Sequence, residues 1–246
     1  MNKKYIPRKM IPRSRFRDLY KEWDEEDRAL LIDKMNVLLF ENSQYTDSKN
    51  YGFLCNLLTS LAIVQVLESK GMPRKEAEQY TADAMYEFLD DITETRTCCG
   101  FRENMIQEST KPYDDSRLQM AWLIHSWILY PRMYKFIEPQ IKSMKKLASN
   151  GWFVRFLKLT MPMKFRNTLG YGWDVEFPKC GRDEFSMITH KCIFHQIFEK
   201  YGMPEMTAIF CKVDDILYSD LPRADFLYSQ QIGNGGTMCD YTFRRK

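Results

Sequence analysis

Three short segments near the C-terminal end carry most of this chain's reactive side chains. They read Thr189-His190-Lys191-Cys192-Ile193-Phe194-His195, then Phe210-Cys211-Lys212-Val213-Asp214-Asp215, then Gly233-Asn234-Gly235-Gly236-Thr237-Met238-Cys239-Asp240-Tyr241. Thiols attack electrophilic carbon, carboxylates and imidazoles move protons, and a glycine cluster lets backbone amides approach a ligand closely. Those residue types in company are what a nucleophilic site with acid-base assistance requires.

Cys239 sits on a predicted strand just after the glycines. The backbone amides of Gly235, Gly236 and Thr237 are therefore the candidate ligand contacts, able to lower a thiol pKa and to stabilise developing negative charge. Cys239 and Cys211 are the candidate nucleophiles, with Cys192 as a third thiol of the set. Asp214 and Asp240 are candidates for proton transfer, or for orienting His190 or His195, since a carboxylate beside an imidazole fixes its tautomer. Strand alternation points Cys239 and Asp240 to opposite faces, so one pocket takes both only through a bulge. The face of Met238 and Asp240 reads less like core.

Plainer readings stand beside these. Free cysteine is among the most buried residue types, and core packing accounts equally well for any one of Cys192, Cys211 and Cys239. Asp214-Asp215 also suits a helix cap or a solvated turn. The Cys98-Cys99 pair reads as incidental, and His125, between Ile124 and Trp127, as a core histidine. His190, Cys192 and His195 offer zinc ligands as an alternative, yet no Cys-x-x-Cys pair is present and the separations are long, so the expected cofactor is none. The glycine cluster does not follow a strand and open a helix, which argues against a nucleotide-binding loop.

The elements that must position these residues change character along the chain. Phe16, Leu19, Trp23, Leu30, Leu31, Met35, Leu38 and Leu39 recur mainly at three- and four-residue spacings, predicting a helix over 15–40. A second helix is expected over 53–70, stopped at Gly71, and a third opened by Pro73 and running to about Glu94. Ser109, Thr110, Pro112, Asp114 and Asp115 mark a loop that divides a helical region, 1–108, from an α+β region, 109–246. Helices are expected over 117–137 and 152–161. After Gly170 the pattern alternates: strands are predicted over 173–177, 185–188, 225–232 and 238–243, with helices over 193–201 and from Pro204 to Phe210. The expected fold is α+β, a helical N-terminal half followed by a small antiparallel sheet with flanking helices, with the chemistry in about 170–246.

Composition excludes several classes. The 246 residues, 44% of them hydrophobic, bury a sizeable core without staples. Lys and Arg number 36 against 33 Asp and Glu, a net charge of +3 that gives no bulk field for nucleic acid. No apolar run approaches the roughly 20 residues that span a bilayer, and no apolar stretch follows the basic start, so no membrane partner and a cytoplasmic location are expected. The seven cysteines then remain free thiols. The 16 Phe, 14 Tyr and 5 Trp leave room for a homo-oligomer interface.

In order and spacing, the Cys192 segment before a helix, the unit Cys211-Lys212-Val213-Asp214 and the closing Gly235-Gly236-Thr237-Met238-Cys239-Asp240-Tyr241 strand resemble the L-2-amino-thiazoline-4-carboxylic acid hydrolase family. The resemblance covers about Trp173 to Arg245. It implies a hydrolase acting on a small molecule, opening a cyclic amidine such as 2-amino-thiazoline-4-carboxylate to a carbamoyl-cysteine type product, with a thiol and carboxylates. Such sequences tend to place an Arg and a Thr ahead of the glycine cluster, where this chain has Tyr228-Ser229-Gln230-Gln231. That departure falls where an anion contact would lie. The alternative reading is a non-catalytic sensor that binds a small molecule or metal beside pocket cysteines, since fold alone does not decide function.

Overall fold

The computed structural model describes residues 23–45, 51–94, 142–166 and 172–246. They fall into two compact units, one within Pro7–Phe136 and one within Ile137–Lys246.

The N-terminal unit is helical. Helix α1 (Glu25–Glu41) starts where the Asp24 carboxylate accepts the Asp27 amide at 2.9 Å, with Glu25, Glu26 and Asp27 at the positive end of the helix dipole. Leu31, Met35 and Leu38 fall on one face and are buried. Helix α2 (Tyr51–Ser69) buries a long apolar run that includes Leu54, Leu57, Leu58 and Leu61. It stops because Gly71 takes a φ of +89°, which lets the Met72 amide turn back to the Leu67 carbonyl at 3.0 Å. Pro73 then opens α3 (Arg74–Glu94), where its missing N–H costs nothing. The second and third helices thus lie close to where the sequence predicts them. The start of the first predicted helix, the loop at 107–115, the helix at 117–137, Cys98-Cys99 and His125 lie outside the described residues.

The C-terminal unit is the α+β half. Residues 142–148 are helical, and α4 (Phe153–Phe165) follows. Next come β1 (Asp174–Glu176), β2 (Glu184–Lys191), α5 (Ile193–Lys200) and a 3-10 turn at Pro204–Met206 that runs into α6 (Thr207–Tyr218). The chain closes with β3 (Ala224–Leu227), a second 3-10 turn at Ile232–Asn234, and β4 (Cys239–Arg245). The four strands form one antiparallel sheet in the order β1-β2-β4-β3. The expected α+β class is what the chain adopts.

Register decides which side chains meet. Phe185 pairs with Phe243, Met187 with Tyr241 and Thr189 with Cys239, all six buried on one face. α4 covers that face with Phe153, Val154 and Leu157. Phe177, Phe185 and Phe243 stack at centroid separations of 6.1 Å, and Phe153 meets Phe243 edge-on at 6.4 Å. Each fully buried phenylalanine contributes roughly 1.5–3 kcal/mol of apolar burial. The opposite face carries Ser186, His190, Asp240, Thr242 and Arg244, so it is polar.

β2 and α4 run longer than predicted, and two further differences bear on the site. The strand predicted over 225–232 ends at Leu227. Beyond it the Ser229 and Gln230 amides both donate to the Asp240 carboxylate at 2.9 Å, a side-chain acceptor that replaces a ladder partner. The helix predicted to stop near Phe210 continues to Tyr218, so Cys211, Asp214 and Asp215 lie inside a helix rather than on a strand or turn. No helix among the described residues is long and apolar enough to cross a membrane.

Candidate active site

Helix α6 presents Cys211, Asp214 and Asp215 at three- and four-residue spacing, one stripe of its surface. Opposite it, strand alternation sends Cys239 and Tyr241 inward from β4. The two elements meet through the Tyr241 hydroxyl, which donates to Asp214 Oδ2 at 3.0 Å. Gln231, just before the 3-10 turn, donates through Nε2 to Tyr241 Oη at 3.2 Å and to Asp215 Oδ1 at 3.4 Å. Tyr228 adds a 2.8 Å bond to the same Asp215 oxygen.

The glycine bend brings the thiols in. The Ile232 amide donates to Cys239 Sγ at 3.3 Å. At the next residue, a Cβ placed on Gly233 would lie 2.7 Å from Cys211 Sγ and 2.8 Å from the Ala208 nitrogen and the Thr207 carbonyl carbon. Gly233 is therefore glycine for close approach, the turn being pressed against the first turn of α6. Gly233→Ala is expected to destabilise the fold by on the order of 1–3 kcal/mol in denaturant titrations, because backbone atoms cannot move aside as a side-chain tip can. Gly181→Ala, where nothing lies within 4 Å of the added carbon, is the matched control and should stay within about 0.5 kcal/mol of the parent.

The electrostatics follow from this burial. Desolvation pushes the Asp214 carboxyl up to about 7; the Tyr241 bond opposes the rise, Asp215 adds to it and the Lys164 ammonium opposes it. The neighbouring Cys211 thiol draws Cys239 below the ordinary thiol value against its burial, with the Ile232 amide and the Tyr241 hydroxyl helping. Cys211 is pushed up by Cys239 and by burial. Cys192 is raised to about 12 by burial, although the amides of His195 and Phe194 face it. Of the three thiols, Cys239 is the one whose surroundings favour the thiolate.

The Asp214 charge acts on all three thiols, raising each against ionisation, and the thiols act on one another. All three thiols lie just beneath the surface, 5–9% exposed, while Asp214, Asp215 and Gly233 keep more solvent contact. Other candidates lie elsewhere. Asp240 points to the polar face, where it holds Ser229 and Gln230 and its pKa is lowered by those bonds despite some burial. His190 is on that face too, 3.2 Å from Glu176 Oε2. Strand alternation removes both from the thiols, and no bulge intervenes at Cys239. His195 Nδ1 sits 3.4 Å from Thr207 Oγ1.

The amides expected to serve a ligand are engaged within the loop. Gly235 and Gly236 donate to the Ile232 and Gln231 carbonyls at 3.0 and 2.9 Å, and Thr237 to Gln230 Oε1 at 2.9 Å. The backbone donor that reaches Cys239 is instead Ile232. Among the described residues no three His, Cys, Asp or Glu side chains gather as a metal ion would require, and His190 and His195 are held by separate partners. Tyr241 and Lys164 are not among the residues the sequence singles out, Asp215 reads there as a cap or turn residue, and Tyr228 and Gln231 read as a missing anion contact rather than as partners of Asp215. Two-residue alternation from Cys239 was the signal that could have found Tyr241.

Compared with known families, residues 92–243 of the chain match the family described as L-2-amino-thiazoline-4-carboxylic acid hydrolase. No curated protein and no solved structure matches the chain.

Proposed function

Because the chain belongs to the L-2-amino-thiazoline-4-carboxylic acid hydrolase family, we propose that it opens a small cyclic amidine such as 2-amino-thiazoline-4-carboxylate by hydrolysis. The observation that carries the reading is the meeting of Asp214 and Tyr241 beside the Cys211–Cys239 thiol pair. The carbon between nitrogen and sulfur is a weak electrophile until the ring nitrogen is protonated. Asp214, a carboxyl that keeps its proton to near neutrality, supplies that proton. Cys239 then adds to the carbon as thiolate.

Collapse of the adduct breaks the ring carbon–sulfur bond, and the ring sulfur leaves as a thiol with the proton that Cys239 gave up. The opened amidine stays on Cys239. Water adds to the same carbon, Cys239 departs and recovers a proton, and ammonia is retained, leaving a carbamoyl product heavier than substrate by one water. Lys164, the cation nearest in effect to Asp214, suits the substrate carboxylate, a task for which this chain has no arginine at 228–231.

The test is direct. Purified protein incubated with 2-amino-thiazoline-4-carboxylate should yield a product about 18 mass units heavier, with one new titratable thiol per turnover. An unchanged substrate mass would overturn the proposal. The shallow burial of all three thiols favours a second reading, a binding module without turnover. In that case calorimetry would show stoichiometric ligand binding with no mass change.

A further inference from the structure

We infer that Gln231 is a positioning residue: its side-chain amide aims the one proton of the Tyr241 hydroxyl at Asp214. The inference deepens the role proposed above for Asp214 and rests on it for its meaning in catalysis. Gln231 is 1% exposed, and a primary amide buried that far must bond at both ends. Its oxygen accepts from Asn234 Nδ2, and its nitrogen faces Tyr241 Oη and Asp215 Oδ1.

The orientation is forced. Asp215 Oδ1 already accepts from Tyr228 Oη at 2.8 Å, so the Gln231 atom facing it must be the NH2 group. Flipping the amide would set its oxygen against Asp215 and its nitrogen against the Asn234 amide nitrogen. With Gln231 donating to it, the Tyr241 oxygen uses its single hydrogen elsewhere, and Asp214 Oδ2 at 3.0 Å takes it. The Gln231 main chain is anchored separately, its carbonyl accepting the Asn234 amide at 3.0 Å and the Gly236 amide at 2.9 Å. A side-chain replacement therefore tests the amide rather than the loop.

The groups facing Asp214 come from every element around it. They are Asp215, Tyr218 and Cys211 on α6, Lys164 on α4, Cys192 at the start of α5, Tyr228 after β3, and Cys239 and Tyr241 on β4. Tyr241 donates a hydrogen bond to the carboxylate, and Lys164 acts through space. Loss of the aimed proton thus leaves the carboxylate less supported, and its titration midpoint must rise.

The experiment compares full-length wild type, Gln231→Met, Tyr241→Phe and the double variant, with carbon-13-labelled aspartate followed by NMR across pH. Asp214→Asn identifies the Asp214 signal. Each single variant is expected to raise the Asp214 midpoint by about one pH unit, and the double variant no further than Tyr241→Phe alone. An unmoved midpoint in Gln231→Met, or shifts that add in the double variant, overturns the inference. Asn234→Ala, at a part-exposed position that releases the Gln231 oxygen, gives the same reading should Gln231→Met not fold: a smaller rise supports the inference and no rise overturns it. The midpoint is read without turnover, so absence of ring opening in wild type would sink the proposed function and leave this measurement standing.

Discussion

Cys239→Ser is expected to lower ring opening at least about a thousandfold while leaving the fold intact, the scale on which loss of a covalent nucleophile acts. The sulfur accepts the Ile232 amide at 3.3 Å, and the Cys211 thiol and the Tyr241 hydroxyl also favour its thiolate. A serine oxygen there would keep the Ile232 bond but ionises far too weakly to attack. The strand register, set by Phe185 on Phe243 and Met187 on Tyr241, does not depend on the sulfur, so the thermal midpoint should move little. Cys192→Ser is the informative partner. Its thiol is held at about 12 by burial, so it stays protonated at neutral pH and its loss should reduce turnover far less. Iodoacetamide should accordingly modify Cys239 before Cys192 in the native protein at pH 7. Full activity in Cys239→Ser would assign the attack to water instead.

Asp214→Asn carries the second large effect, and it acts in opposite directions on rate and on stability. As the proton donor to the ring nitrogen, Asp214 is expected to contribute about 10²- to 10⁴-fold. The wild-type rate should fall above pH 7, where the carboxyl loses its proton, and the residual rate of Asp214→Asn should lack that limb. Stability runs the other way. The folded pKa of about 7 lies above the ordinary aspartate value of 3.8, so near pH 5 to 6 the folded chain holds a proton that the unfolded chain has released. Ionisation of Asp214 therefore costs stability progressively from about pH 4, and the whole cost is present above pH 7. Asparagine cannot ionise. The thermal midpoint of Asp214→Asn relative to wild type should rise between pH 5 and pH 8, as calorimetry at the two values would read. A relative midpoint that falls over that interval would mean that Asp214 is stabilised as a carboxylate.

Much of this architecture was legible because it rests on local rules. Gly71 and Pro73 punctuate α2 and α3, and the alternation of Cys239 to Phe243 sorts thiol from carboxylate along β4. The thiols and Asp214 were singled out by residue type; Cys211 and Asp214 lie on α6 and Cys239 on β4, the two elements that the Tyr241–Asp214 bond joins. What escaped was set by tertiary contact. Nothing in Phe210-Cys211-Lys212 says that the helix continues, since its extension depends on packing against α5 and the Ile232–Asn234 turn. Gln230-Gln231 reads as strand until Asp240, ten residues on, captures the neighbouring amides. His190 and Asp240 were attractive as chemistry, yet the parity of their strands sends them to the polar face.

That parity constrains how the connection between β3 and β4 can vary. Residues added or removed at its tip, around Gly235, would break the amide bonds that Asn234, Gly235 and Gly236 make within the loop but need not move β4 against β2. A slip of the pairing by one residue is a larger change, because it exchanges inside for outside along the whole strand. It would bury Asp240, Thr242 and Arg244 among the phenylalanines and carry Cys239 and Tyr241 into water. The frame of β4 is held by Phe243 between Phe185 and Phe226, so the aromatic end of the strand keeps count for the reactive end.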